Sequence, residues 1–208
     1  MSRLAVITCG PAYAPIDSVR RISNFATGEI GTILSQALKV CGLEVICFRG
    51  EGSIASHPDG VDVRTFTTNE SLAAALQQLG KMPSIIFHAA ALCDYQVAGV
   101  EGVIAQKKLS SRSGGITLHL QPAPKILPRL REWFSEAQIV GWKYELDGVR
   151  SDAIARAQIQ IQESRTDACV VNGAAYGEGF GILMPDGVLT VCDNKTALAA
   201  ALVERFAT

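Results

Sequence analysis

Long hydrophobic runs and an excess of either charge are both missing from this 208-residue sequence. Its most apolar stretches, Leu4–Cys9 and Ile85–Leu92, are far shorter than the roughly 20 residues that a membrane-spanning helix needs. The 19 Lys and Arg residues nearly balance the 20 Asp and Glu residues, so no field of one sign would attract nucleic acid or an anionic membrane surface. We therefore expect neither a nucleic acid nor a membrane as a partner.

Closely spaced metal-binding and redox motifs are also missing. None of the six cysteines forms a CxxC pair, and the three histidines are scattered along the chain, so the sequence predicts no zinc site. Most of the cysteines lie in or beside apolar, strand-like runs, where cysteine usually acts as a small buried residue. Free thiols are typical of a reducing compartment, and we therefore expect a cytoplasmic protein.

The sequence does contain the alternation of an α/β protein. Hydrophobic residues make up 48% of the chain, and short apolar runs alternate with segments of helical periodicity such as Ile30–Cys41. This pattern predicts a Rossmann-like three-layer fold with a mainly parallel sheet. We expect residues 1–208 to form one domain with a β-hairpin excursion at residues 105–121, where Lys108–Ser111 and Ile116–Leu120 flank a Ser-Gly-Gly turn.

Ligands of open α/β sheets bind beyond the carboxyl ends of the strands, and the first such end is informative. After strand Leu4–Cys9, Gly10 is followed by a 17-residue loop before Gly28 and Gly31 open a helix. Loops of this length are usually functional, and glycines at a helix N-terminus allow a phosphate to approach. The same residues also fit a simpler explanation, in which Thr27 caps the helix and the glycines ease packing.

Two more strand ends carry candidate residues. The small residues Ala89–Ala91 would leave room for a flat ring, and Asp94 could accept a hydrogen bond from a base or a ribose. Tight sheet packing and a turn cap would explain the same residues. The lysines Lys108, Lys125 and Lys143 could neutralise phosphates, although a short basic run is more often a solvated surface.

Together these segments resemble the phosphopantothenate–cysteine ligase family (phosphopantothenoylcysteine synthetases), which also forms the C-terminal half of the DNA/pantothenate metabolism flavoproteins. Residues 15–31 read PIDSVRRISNFATGEIG, similar to the family stretch PIDxVRxISNxSSGxxG. The alanine run that ends in Asp94-Tyr95 matches a further family segment, as do Lys108–Ser111, Pro124–Ile126 and Gly141–Lys143. These later segments are more similar to the stand-alone ligases than to the fused ones.

The resemblance implies a ligase of coenzyme A biosynthesis that acts as a homodimer. CTP or ATP with Mg²⁺ would activate the carboxylate of 4′-phosphopantothenate as an acyl-nucleotide, and the amine of cysteine would then displace the nucleoside monophosphate. The catalytic residues implied are Asn24, on the acyl-nucleotide, and Lys108, on the phosphates. The nucleotide-binding residues implied are Gly10, Gly28, Gly31, Ala89, Ala90, Ala91, Asp94, Lys125, Ile126 and Trp142, and Arg20 would belong to the substrate-phosphate and dimer region.

The sequence departs from the family pattern at three places. Ala12 replaces a hydroxyl residue of the first turn, and Ala26-Thr27 replaces a Ser-Ser pair. The helix before the last core strand has no lysine, although Arg156 or Arg165 could replace one. These departures keep open a diverged, non-catalytic homologue that binds a nucleotide or a partner. An NAD(P) oxidoreductase is disfavoured, because the sequence has neither GxGxxG nor a Tyr-x-x-x-Lys pair.

Overall fold

The computed structural model describes residues 3–100, 108–109 and 114–207. The strands are β1 (Leu4–Cys9), β2 (Tyr13–Pro15), β3 (Arg21–Ser23), β4 (Glu44–Gly50), β5 (Asp62–Phe66), β6 (Ile85–His88), β7 (Tyr95–Val100), β8 (Leu118–Pro122), β9 (Gln138–Tyr144), β10 (Ala168–Asn172), β11 (Phe180–Leu183) and β12 (Leu189–Cys192). The helices are α1 (Glu29–Val40), α2 (Asn69–Gln77), α3 (Leu127–Trp133), α4 (Arg150–Ser164) and α5 (Lys195–Phe206).

An eight-stranded sheet in the order β12-β11-β10-β9-β6-β1-β4-β5 forms the middle layer. Every strand pair of this sheet from β5 to β10 is parallel, whereas β11 pairs antiparallel with both β10 and β12 and so runs opposite to the other strands of the sheet. Helices α1 and α5 pack on one face, and α2, α3 and α4 pack on the other. All six residues of β1 are buried, as expected for a parallel strand covered on both faces. The predicted three-layer, Rossmann-like fold is confirmed.

Two predictions about the excursions from this sheet need correction. The stretch between β1 and α1 is not a loop without structure, because β2 pairs with β3 in an antiparallel ribbon. The partner of β8 is β7 rather than Lys108–Ser111, so the antiparallel excursion begins at Tyr95. Ser110 and Ser111, part of that predicted strand, lie outside the described residues. The strand Tyr95–Val100 has a register shift between Val97 and Gly99 and no strict alternation of buried and exposed residues, so it carries no clear periodic signal in the sequence.

The six cysteines are free thiols. Cys9 on β1 and Cys47 on β4 lie side by side in the core, with 3.7 Å between their sulfur atoms. Within the described part of the chain, no helix has both the length and the apolar character needed to cross a membrane.

Candidate active site

The alanine run predicted to face a flat ring lies beside the end of the first strand. Beyond β6, the N–H of Ala89 donates to the carbonyl of Thr8 at 2.9 Å, and the N–H of Ala91 donates to the carbonyl of Gly10 at 2.9 Å. The N–H of Ala12 in turn donates to the carbonyl of Ala91 at 3.0 Å. These bonds continue the parallel ladder past the sheet and bring the alanine run next to the predicted phosphate loop.

A cavity of about 410 Å³ opens beyond the ends of β6 and β9, between α3 and α4. It contains four of the residues that the resemblance places around the nucleotide, namely Ala90, Lys125, Ile126 and Trp142. The remaining side chains that line it include His88, Leu92, Lys143, Arg156, Ile159, Gln160 and Glu163. Residues far apart in the chain meet here because the carboxyl ends of parallel strands share one edge of the sheet.

A buried carboxylate fixes two cations of this cavity. Oε1 of Glu145 lies 3.1 Å from Nζ of Lys143, and its Oε2 accepts a hydrogen bond from Nη1 of Arg156. Burial acts to raise the pKa of Glu145, but the hydrogen bonds from Arg156 and Lys143 outweigh it and leave the pKa below its ordinary value. Of the two candidate replacements for the family's lysines, Arg156 lines the cavity, whereas Arg165 is the C-cap residue of α4.

Asp94 and Lys125, both predicted nucleotide-binding residues, form an ion pair with each other. Both side chains are well exposed to solvent, and an exposed ion pair is worth at most about 1 kcal/mol. A ligand can therefore separate them at little cost. The backbone carbonyl of Asp94 accepts a hydrogen bond from the N–H of Ala123 at 2.9 Å, which joins the end of the alanine run to the segment that carries Lys125.

Asn24, predicted to be catalytic, is hydrogen-bonded to the backbone at the end of the alanine run. It follows β3, and its Nδ2 donates to the carbonyls of Ala91 at 3.2 Å and Leu92 at 3.0 Å. A side-chain amide has two N–H donors and one oxygen acceptor. Both donors of Asn24 are therefore occupied, and its Oδ1 is the atom left to meet a ligand.

The three predicted glycines lie against protein atoms. A Cβ at Gly10 or Gly28 would come within 1.9 Å and 2.8 Å, respectively, of Oγ of Ser53, and a Cβ at Gly31 would lie 2.3 Å from Sγ of Cys9. This supports the packing explanation that the sequence left open. Thr27 is not the N-cap that this explanation assumed, since Gly28 with a φ of 79° is the N-cap of α1. Oγ1 of Thr27, one residue earlier, accepts a hydrogen bond from the N–H of Glu29 at 3.3 Å.

Arg49, which the sequence analysis missed, holds the loop that carries Ser53. Its guanidinium is buried and donates to Oγ1 of Thr32 at 3.2 Å and to the carbonyls of Ser56 and Ala55. These bonds keep the loop after β4 over the N-terminus of α1.

Asp17 links Arg20 to the segment that contains Lys108. Oδ2 of Asp17 accepts from Nη1 of Arg20 at 2.8 Å and from the N–H of Leu109 at 3.0 Å. The carbonyl of Leu109 accepts from both terminal nitrogens of Arg20 at 3.3 Å. The hydrogen bond from Leu109, followed by those from Val19 and Arg20, holds the pKa of Asp17 below its ordinary value. Sequence reasoning missed Asp17, although it lies in the quoted family stretch.

Lys108 itself is exposed and is not among the residues that line the cavity. Its neighbour Leu109 is buried against the ribbon, so the backbone of this segment is held while the ammonium group faces solvent. The structure thus forms two clusters of predicted residues, one at the cavity and one at the ribbon with Arg20, Asn24 and Lys108. Asn24 joins them through its hydrogen bond to the carbonyl of Leu92, which lines the cavity.

Asn69, at the start of α2, is a third residue that the sequence analysis missed. Its Nδ2 donates to the carbonyls of Cys93 at 2.9 Å and Pro124 at 3.2 Å, and its Oδ1 accepts from the N–H of Cys93 at 3.1 Å. One buried amide thereby fixes the end of the alanine run against the segment before α3. No local sequence signal announces this role, because its partners lie far along the chain.

His88 is the fourth missed residue. It is the last residue of β6, it lines the cavity, and its Nδ1 lies 2.7 Å from Oγ1 of Thr8. Burial lowers its pKa to about 4, so the ring is neutral at physiological pH. Its position directly before the alanine run is the sequence signal for a place in this site.

Metal ligands do not converge in this region. Across residues 3–100, 108–109 and 114–207, no three His, Cys, Asp or Glu side chains lie close enough together to hold a metal ion.

Residues 2–205 match the model of the family described as "DNA/pantothenate metabolism flavoprotein C-terminal domain". A curated relative is the coenzyme A biosynthesis bifunctional protein CoaBC of Thermococcus kodakarensis, with 29% identity over 80% of this chain and 40% of the relative. The chain spans between 40% and 52% of the length of the bifunctional relatives from Thermococcus kodakarensis and Mycobacterium bovis.

Solved structures share the fold. The DNA/pantothenate metabolism flavoprotein of Streptococcus pneumoniae has a TM-score of 0.86 and 21% identity, covering 98% of each chain. A Cab2 variant in complex with phosphopantothenate-cysteine has a TM-score of 0.76 and 18% identity, covering 99% of this chain and 86% of that one.

Proposed function

Because the chain belongs to the family of DNA/pantothenate metabolism flavoprotein C-terminal domains, we propose that it is a ligase of coenzyme A biosynthesis. Its reaction joins 4′-phosphopantothenate to cysteine with CTP or ATP as cosubstrate. A single structural observation supports this proposal most strongly. One cavity collects Ala90, Lys125, Ile126 and Trp142, four residues that the family resemblance assigns to the nucleotide.

In the proposed reaction, a carboxylate oxygen of 4′-phosphopantothenate attacks the α-phosphorus of the nucleotide. This forms the acyl-nucleotide and releases pyrophosphate. The amine nitrogen of cysteine then attacks the acyl carbon, and the amide forms as the nucleoside monophosphate leaves and the amine loses a proton. The substrate is activated rather than the protein, so the protein contributes position and charge.

The cations of the cavity suit a triphosphate. Lys125, Lys143 and Arg156 all line it, and Glu145 holds two of them at the wall. Positioned cations stabilise the negative charge that develops on the phosphates without reorganising during the reaction. Arg156 thereby supports activity in spite of the lysine-free helix, although its planar group differs from an ammonium.

Mg²⁺ would arrive with the nucleotide. Among the described residues no set of three acidic, histidine or cysteine side chains forms a ready cage, and Mg²⁺ is commonly held by substrate phosphates and one or two carboxylates. When bound it would neutralise part of the phosphate charge. The chain's own residues would orient the phosphates through Lys125, Lys143 and Arg156, and Asn24 would bind the acyl-nucleotide through Oδ1.

The ribbon formed by β2 and β3 is proposed to face a second copy of the chain. Val19, Ile22 and Phe25 are large apolar residues on or beside it, and all three are exposed. Apolar side chains grouped in this way mark interaction surfaces. Arg20 lies among them, consistent with its predicted place in the substrate-phosphate and dimer region.

The function is tested with the whole chain, 4′-phosphopantothenate, cysteine and Mg²⁺, supplied with either CTP or ATP. We expect pyrophosphate release with at least one nucleotide, and a loss of roughly 100-fold in kcat in Lys125→Ala, which removes one of the cations that line the cavity. Lys81→Ala is the matched control, because Lys81 is an exposed lysine paired with Glu44 away from the cavity.

A lack of pyrophosphate release would contradict the proposed function. If neither nucleotide gives pyrophosphate above the rate without protein, the ligase assignment is rejected. Calorimetry that then detects nucleotide binding without turnover would favour the non-catalytic homologue, and a nicotinamide cofactor that copurifies would favour the oxidoreductase.

A further inference from the structure

The cavity has a neutral inner end and a cationic opening. The side chains of Lys125, Lys143 and Arg156 are 64%, 34% and 48% exposed. His88 and Ile126, which line the same cavity, are only 6% and 2% exposed. A ligand with an uncharged ring and an anionic tail matches this gradient of charge and depth, with the ring at the inner end.

The hydrogen bonds around Thr8 define which nitrogen of His88 carries the proton. The N–H of Ala90 lies 3.4 Å from Oγ1 of Thr8 and can only donate to it. The hydroxyl hydrogen of Thr8 then has Nδ1 of His88 as its acceptor, at 2.7 Å. If Nδ1 carried the proton instead, the buried hydroxyl hydrogen of Thr8 would have no acceptor among the described residues, which is costly. Nδ1 is therefore the acceptor, and Nε2 carries the hydrogen.

His88 lines the cavity, and its Nδ1 is already bonded to Thr8, so Nε2 is the ring nitrogen available to a ligand. Among the described residues, the fully buried side-chain polar atoms that lack a hydrogen-bond partner belong to Ser35, Ser53 and Thr166. Nε2 of His88 is not one of these atoms, so it is not sealed inside the protein. No described residue bonds to it. His88 thus presents one uncharged N–H donor at the inner end of a cavity whose neighbouring walls, Ile126 and Trp142, are apolar.

We propose that His88 is a nucleobase-binding residue, whose Nε2–H donates a hydrogen bond to an acceptor on the ring edge of the nucleotide. Thr8 is its positioning residue, because the Thr8 hydroxyl holds the ring in the tautomer that has a donor in the cavity. The proposal rests on the proposed nucleotide-dependent function and extends it to a residue outside the family segments quoted above. A carbonyl oxygen or an unprotonated ring nitrogen of the base is the required acceptor.

Two substitutions separate this role from a structural one. The amide of asparagine occupies nearly the position of Nδ1 in histidine, so His88→Asn keeps a partner for Thr8 but has no group at the Nε2 position. The amide of glutamine reaches nearly to Nε2, so His88→Gln keeps a donor in the cavity. His57→Asn is the matched control, because His57 is exposed and lies outside the cavity.

Affinity is measured by calorimetry with CTP, ATP and inorganic triphosphate, each with Mg²⁺ and without the other substrates. We expect His88→Asn to bind the nucleotide with about tenfold lower affinity than the wild-type chain, for whichever of CTP and ATP the wild-type chain binds. His88→Gln should stay within about threefold of wild type, and His57→Asn should be unchanged. Inorganic triphosphate, which has no base, should bind all four proteins alike. In turnover, KM for the nucleotide should rise in His88→Asn while KM for cysteine stays constant.

Several outcomes would overturn the assignment. These are wild-type affinity in His88→Asn, equal losses in His88→Asn and His88→Gln, a loss that extends to inorganic triphosphate, or no nucleotide binding by the wild-type chain. Pyrophosphate release by the wild-type chain is scored separately. Its absence would reject the ligase function, while the binding series would still decide the role of His88.

Discussion

The imidazole of His88 is buried, and burial disfavours its protonated form. Burial lowers its pKa to about 4, whereas a histidine in an unfolded chain has a pKa of about 6.5. Between these values the unfolded state binds a proton that the native state does not. The free energy of unfolding therefore falls as the pH drops through this range, and the stabilisation is complete only above the unfolded value.

We predict that lowering the pH from 7 to 5 lowers the free energy of unfolding of the wild-type chain by about 2 kcal/mol more than that of His88→Asn, which has no titrating group at this position. Urea unfolding of both proteins at the two pH values measures this difference. His57→Asn should behave as the wild type does, since His57 is exposed. An equal pH response in wild type and His88→Asn would show that His88 is protonated normally in the native state.

At the scale of elements, α1 can lie close to β1 because residue 31 of the helix is a glycine and has no side chain. Gly31 lies in the first turns of α1, and a Cβ there would come 2.3 Å from both Cβ and Sγ of Cys9. The helix can lie this close to the strand only because position 31 has no side chain. This contact also determines how near the N-terminus of α1 approaches the end of β1.

Gly31→Ala should therefore destabilise the fold in spite of the higher helix propensity of alanine. Overpacking of a tight core contact costs about 1–3 kcal/mol, which exceeds the roughly 1 kcal/mol that alanine gains over glycine in a helix. Thermal or urea unfolding measures the net loss. Gly99→Ala is the control, because no atom of the described residues lies within 4 Å of a Cβ at that position. A stabilised Gly31→Ala protein would show that the two elements can separate freely.

The ribbon of β2 and β3 is held by contacts with other parts of the chain. Its two strands have only three residues each, and such short strands are not stable alone. Asn24 ties the end of the ribbon to the alanine run, and Asp17 and Arg20 tie it to Leu109. Tertiary hydrogen bonds, rather than strand propensity, therefore hold the residues that the resemblance assigns to catalysis.

At the scale of the whole molecule, the exposed apolar side chains of the ribbon predict association between two chains. Phe25 is fully exposed in the single chain. We expect the wild-type protein to sediment as a dimer and Phe25→Ser to shift the equilibrium towards the monomer, because the substitution removes a large aromatic anchor from the interface. Sedimentation equilibrium at several protein concentrations measures the change.

Val40→Ser is the matched control for that experiment, since Val40 is also a large exposed apolar residue but is the last residue of α1, at the end of the helix away from the ribbon. It should leave the association unchanged. A wild-type chain that sediments as a monomer at all concentrations tested would contradict the proposed dimer face, and equal effects of the two substitutions would indicate nonspecific association.

The sequence by itself determined the order of most of the main helices and sheet strands, because the periodicity of apolar residues is a local property that burial imposes on each element. It also determined which positions resemble a nucleotide site, including Ala90, Lys125, Ile126 and Trp142. It could not determine that β7 pairs with β8, since strand pairing depends on contacts between distant residues. Only the tertiary structure decided that Ser53 fills the space beside Gly10 and Gly28.

The polar partners of the site were likewise decided by the tertiary structure. His88 meets Thr8, Asn69 meets Pro124 and Asp17 meets Leu109 across long stretches of chain. No local pattern encodes such pairs, because each polar side chain finds its partner only after hydrophobic burial has brought the strand ends to one edge of the sheet. The sequence specifies the residue types, but the chemistry of each polar side chain depends on the neighbours that the fold brings into contact with it.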